Sequence, residues 1–210
     1  MKGLNQMADS DNEKPHGRRT FFREAFTKIV QPVAEYLDTQ VGPHLPAEEV
    51  LLRPPGALPE AAFLQTCLRC GNCVESCPAD AIQPFQSDQP NLAGTPYIDP
   101  DTQPCVVCDS LECMQVCPSG ALQKLSVHEI QIGLAEVNYN ICLRSNGVDC
   151  RDCVDACPIG ETAILIDYEK RVKVLSDGCV GCGVCQHQCP TTPKSIVVQP
   201  IQEYTEAQSD

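Results

Sequence analysis

The sequence contains no tryptophan, and only five phenylalanines and five tyrosines among 210 residues. With 42% hydrophobic residues it falls short of what a large apolar core would use. A chain that buries little apolar surface needs another source of folding energy, and metal coordination is one. Basic residues are scarce too: 15 Lys+Arg stand against 28 Asp+Glu, a net charge of -13. Nucleic acid is excluded as a partner, because a phosphate binder needs a basic face. No apolar run is long enough to cross a membrane. A Walker loop, a dinucleotide fingerprint and a nucleophile motif are all missing, so the chain is read as no enzyme in its own right.

What the chain has in abundance is cysteine, and all sixteen fall into four runs. Cys67, Cys70, Cys73 and Cys77 precede Pro78; Cys105, Cys108, Cys113 and Cys117 precede Pro118; Cys142, Cys150, Cys153 and Cys157 precede Pro158; Cys179, Cys182, Cys185 and Cys189 precede Pro190. The runs recur at a nearly constant interval, which marks an internal repeat. The first and fourth have the C-x2-C-x2-C-x3-C-P spacing with which bacterial ferredoxins hold iron–sulfur clusters. The second and third share the C-x3-C-P ending and have enlarged loops before it. Disulfide scaffolds do not require cysteines two apart with a proline after every fourth, and four-cysteine zinc sites separate their knuckles by a longer stretch. All sixteen cysteines are therefore candidate ligands, and the expected cofactors are four [4Fe-4S] clusters.

The spacing has a chemical reason. Three closely spaced cysteines can wrap three corners of a cubane while the turns between them aim amides at sulfur, and the fourth serves the other cluster of a pair. Gly71, Gly181 and Gly183 allow the tight turns. His187, inside the fourth motif, is read as a surface residue, since four cysteines already complete the set. The expected fold is α+β: two ferredoxin-like modules, each with two clusters, preceded by an amphipathic helix and a linker.

In chain order, residues 1–17 are polar and read as disordered. Residues 18–40 begin with RRTFF, a degenerate twin-arginine motif whose apolar core is interrupted by Glu24, Lys28, Gln31, Glu35 and Asp38. In its place Phe22, Phe26, Ile29, Val30, Val33 and Leu37 form an amphipathic helical stripe, favoured to pack on the cluster domain, with a membrane surface or a partner's groove as the alternatives. The resulting expectation is a cytoplasmic location, membrane-associated if the stripe meets lipid, with a periplasmic location as the alternative. Residues 41–57 read as a proline-rich linker, 58–200 as the four-cluster domain, and 201–210 as a tail. Within the domain, LPEAAFLQ from Leu58 predicts a helix into Cys67. TAILID and VKVL predict a hairpin. Ala81–Ile82 with residues 97–99, and Ala121–Leu122 with residues 134–139, look like looser hairpins; 83–96 reads as surface loop and 195–199 as a closing strand. Residues 61–210 carry eight Lys+Arg against nineteen Asp+Glu, which would steer the domain to a basic docking surface.

The order of the four spacings, the RPPGALPE stretch at 53–60 and the RRxFF start resemble the MauM/NapG-type ferredoxins over about residues 18–198. The resemblance implies electron transfer between a quinol-oxidising membrane partner and a terminal redox enzyme. An accessory protein for redox-enzyme maturation or assembly, and an iron–sulfur subunit of a larger complex, are the alternatives. Two pairings of the motifs are open: sequential (one with two, three with four) and nested (one with four, two with three). The nested scheme is preferred because it gathers the enlarged loops into one module. It assigns Cys77 to the cluster of Cys179, Cys182 and Cys185, and Cys117 to that of Cys142, Cys150 and Cys153.

Overall fold

The apolar pieces between the cysteine motifs are short, so the ribbons they form are short. The computed structural model describes residues 50–201. Within them β1 (Ile82–Pro84) pairs antiparallel with β2 (Pro96–Ile98), and β4 (Ile164–Ile166) with β5 (Val172–Val174). The second is the hairpin expected from TAILID and VKVL, and the first is the looser one expected of Ala81–Ile82 with residues 97–99; each is placed between consecutive motifs. A third ribbon joins β3 (Gly133–Val137) to β6 (Ile196–Pro200), with Ala135 opposite Val198. Both strands show the same alternation of burial, which lets their apolar faces meet.

That ribbon corrects the expectation that residues 134–139 pair with Ala121–Leu122. The latter instead meet the entry segment: Ala57 and Leu122 form an antiparallel bridge. The amide of Leu58 donates to the Ala121 carbonyl at 3.0 Å, and that of Gln123 to the Gly56 carbonyl at 2.7 Å. Each half of the described chain thus runs entry segment, motif, hairpin, motif, exit segment, with exit paired to entry. Reading neighbouring pieces as hairpins cannot find such closures, because the partners lie on opposite sides of two whole motifs.

Helix α1 (Glu60–Thr66) follows Pro59 and buries Phe63 completely. Arg53 fixes it to the first hairpin. This side chain, 7% exposed, donates to both Glu60 carboxylate oxygens, to Thr95 Oγ1 at 2.9 Å and to the Pro96 carbonyl at 2.9 Å, and lies over the Phe63 ring. Leu52–Gly56, the end of the proline-rich stretch, is therefore buried within the folded unit. Leu92 and Thr95 are also buried, although the loop containing them reads as surface; Thr95 is held there by Arg53 and by its own bond to the Leu92 carbonyl. The core combines Phe63, Ile82, Met114, Ile130, Ile164, Val172 and Ile196 with cysteines 113, 142, 182, 185 and 189. The predicted amphipathic helix, the segment before it and the tail beyond Ile201 lie outside the described residues.

Candidate metal centres

Four one-turn helices carry the third cysteine of each motif: α2 (Asn72–Glu75), α3 (Glu112–Gln115), α4 (Asp152–Asp155) and α5 (Val184–Gln188). Ahead of three of them the chain turns through left-handed residues. Arg69 (φ 54°) and Gly71 (81°) do so in the first motif, Val107 (49°) and Leu111 (44°) in the second, Gly181 (70°) and Gly183 (87°) in the fourth. These turns bring successive thiols to one side, and glycine adopts them without strain where Arg69, Val107 and Leu111 do not. The third motif spans its longer gap with a 3-10 turn over Arg144–Asn146, ended by Gly147 at φ 88°. Arg144 ties this loop down, donating to Asp149 Oδ1 at 2.6 Å and to the carbonyls of Cys150 and Lys170.

The thiols converge on four cavities among the described residues, each lined by four cysteines. Cys67, Cys70 and Cys73 are joined by Cys117. Cys105, Cys108 and Cys113 are joined by Cys77. Cys142, Cys150 and Cys153 are joined by Cys189, and Cys179, Cys182 and Cys185 by Cys157. All sixteen predicted residues are brought together, and the exchange of fourth cysteines is the one the spacing implied. The nested pairing is overturned. Cys77 lies with Cys105 and Cys108, and Cys117 with Cys67, so motif one pairs with two and motif three with four. The hairpins β1–β2 and β4–β5 fold each motif directly onto the next, and the sizes of the loops do not enter.

The donor sets fit a cubane better than a lone ion. Among the described residues no three His, Cys, Asp or Glu side chains are gathered closely enough to hold one metal ion. The cavities of Cys105 and Cys179 are otherwise lined by apolar residues and glycine, including Ile82 and Leu111 in one and Ile164 and Val198 in the other. Burial pushes the Cys73 thiol up to about 11, and those of Cys105, Cys113, Cys153 and Cys182 up to about 12. Neighbouring thiols add to the rise, while amides such as those of Val74, Val107, Met114 and Val184 hydrogen-bond to sulfur and oppose it.

Two fourth cysteines behave differently. Burial raises Cys189, but the hydroxyls of Ser195 and Thr191, each 3.2 Å from its sulfur, outweigh it and bring the thiol to about 7. Cys117 is likewise lowered against burial by the Leu122 amide at 3.4 Å and the Ser119 hydroxyl at 3.6 Å. The sequence reading did not single out Ser119, Thr191 or Ser195. A signal was present, since Ser119 and Thr191 each stand two residues beyond a fourth cysteine, after the proline.

His187, read as a surface residue, is half-buried, with Nδ1 3.0 Å from the Pro100 carbonyl. Beside it the buried Gln186 donates to Asp101 Oδ1 at 3.0 Å and accepts from the Val198 amide at 2.8 Å. The bonds to Asp101 and Pro100 join the two halves, and only the tertiary structure shows them.

The family described as a 4Fe-4S dicluster domain matches residues 66–121 and 148–192, once in each half. Among curated proteins, the chain is 36% identical to the methylamine utilization ferredoxin-type protein MauM of Methylophilus methylotrophus, over 87% of this chain and 86% of that relative. It is 36% identical to the ferredoxin-type protein NapG of Escherichia coli (strain K12), over 91% and 90% of the two. With MauM of Methylobacillus flagellatus the identity is 34%, over 95% and 90%.

Proposed function

The chain belongs to the family of MauM and NapG ferredoxin-type proteins, and we propose that it is an electron-transfer protein of two ferredoxin-like modules seating four [4Fe-4S] clusters. The observation that carries this reading is the set of four cavities, each completed by a cysteine from the neighbouring motif. Bound clusters would supply one-electron chemistry. The chain's own residues supply four sulfur donors per site, amides directed at sulfur and, around Cys105 and Cys179, an apolar lining that keeps water away. No bond of a substrate is made or broken by them, so the chain acts as a carrier and catalysis lies with its partners.

The partners we propose are a quinol-linked electron donor at the membrane and a terminal oxidoreductase, met through the acidic surface of the domain. Among the described residues no helix is long and apolar enough to cross a membrane. A cytoplasmic location is part of the same proposal and rests on the interrupted apolar core after Arg19. Fractionation against a periplasmic marker tests it: recovery from the periplasm with the residues before about Leu45 removed would refute it. The central reading is tested by iron and sulfide analysis of the full chain purified without oxygen. About sixteen irons per chain are expected from four cubanes; zinc as the main metal would overturn the reading.

A further inference from the structure

The four cavities are not equivalent in their contacts. In the first half, Cys73 and Cys117 of the first set stand four residues from Cys77 and Cys113 of the second, about the one-turn helices α2 and α3. In the second half, Cys153 and Cys189 of the third set stand four residues from Cys157 and Cys185 of the fourth, about α4 and α5. Between the halves, Cys105 of the second set meets Cys182 of the fourth: the Cys105 amide donates to the Cys182 carbonyl at 3.0 Å. The surrounding contacts hold this junction closed. Gln186 reaches Asp101, His187 reaches the Pro100 carbonyl, and Gly183 lies so close to Pro100 that an added Cβ would sit 2.6 Å from the proline's own.

We propose that the four sites form one line in the order first, second, fourth, third, and that electrons cross between the halves at the Cys105–Cys182 junction. The order along the path therefore differs from the order along the chain. This rests on the four-cluster reading above and adds to it which sites are internal and which are terminal. Each step moves one electron from a reduced site to its oxidised neighbour, with no proton or bond changing place; a one-electron donor protein serves one end and an oxidised acceptor protein the other. The first set is the more open end. Cys70 is its exposed thiol, and the neighbouring Leu68 is 66% exposed.

The experiment uses the full chain, loaded and fully reduced with dithionite under anaerobic conditions, and reads magnetic coupling between neighbouring reduced sites by electron paramagnetic resonance. One site at a time is emptied by Cys67→Ala, Cys108→Ala, Cys150→Ala or Cys179→Ala, and each loss is checked as about four irons of about sixteen. Emptying the second set is expected to leave the first with an isolated, uncoupled signal. Emptying the fourth is expected to leave the third isolated. Emptying the first or the third leaves the remaining three contiguous, with no isolated signal. An isolated signal in Cys67→Ala or Cys150→Ala, or none in Cys108→Ala or Cys179→Ala, overturns the line. Should a variant lose more than one site, the same sets are emptied from the other motif by Cys117→Ala, Cys77→Ala, Cys189→Ala and Cys157→Ala. A wild-type iron content far from sixteen would instead refute the four-cluster reading, so the two failures are distinct.

Discussion

Cys117 stands in the second motif by sequence and in the first site by space, which makes it a sharp probe of how the ligands are shared. Cys117→Ala is expected to remove about four irons and spare the site of Cys105, Cys108 and Cys113. Loss of the latter site with retention of the former, read by metal analysis and resonance spectra, would refute the exchange. The thiols also set a pH dependence. Burial holds Cys73, Cys105, Cys113, Cys153 and Cys182 protonated in the empty protein to about 11 or 12, and iron binds thiolate, so loading must release protons. Bound iron thus depresses the pKa of each ligand far below its value in the empty chain. The stability gained on loading is therefore lost as pH falls. Reconstitution is expected to be more complete at about pH 8.5 than at about pH 6.5; a flat or inverted dependence in reconstitution yield would contradict it.

Among the elements, the entry–exit closure of the first half depends on a glycine. Gly56 sits at φ 76°, and a Cβ there would collide with the Gln123 carbonyl and lie 2.6 Å from Met114 Sδ. Gly56→Ala is expected to destabilise the loaded chain by about 2–4 kcal/mol, from backbone strain and overpacking together. Gly120→Ala, at a similar φ of 74° but with open space around it, is expected to cost only about 1 kcal/mol. Equal shifts of the two in urea unfolding would dismiss the clash. Arg53 belongs to the same scale, since it ties α1 to β2. Arg53→Met strands a half-buried Glu60 carboxylate and the buried Thr95 hydroxyl, for an expected loss of about 2–3 kcal/mol on the same measurement.

At the scale of the molecule, the described core mixes aliphatic side chains with five buried cysteines, and the ribbons that frame it are three to five residues long. Strands this short are marginal alone, so the sulfur-bound metal is expected to supply much of the folding energy. Complete iron chelation is expected to abolish cooperative thermal unfolding of the domain, followed by circular dichroism. A retained sharp transition in the iron-free chain would show that the apolar contacts suffice.

The sequence by itself determined the sixteen candidate ligands, the repeat and the two hairpins that join consecutive motifs. All of these rest on local spacing: a C-x2-C turn, a C-x3-C-P exit and alternating apolar residues state their chemistry within a dozen positions. It also implied that each fourth cysteine leaves its own motif, without saying where it goes. The partner motif, the closures of Ala57 on Leu122 and of β3 on β6, and the Cys105–Cys182 junction were decided by tertiary structure. The physical reason is that such contacts depend on which faces meet once the hairpins have folded. Neither loop length nor nearness in sequence encodes that meeting, and both misled the reading: loop length favoured the nested pairing, and nearness the pairing of residues 134–139 with Ala121–Leu122.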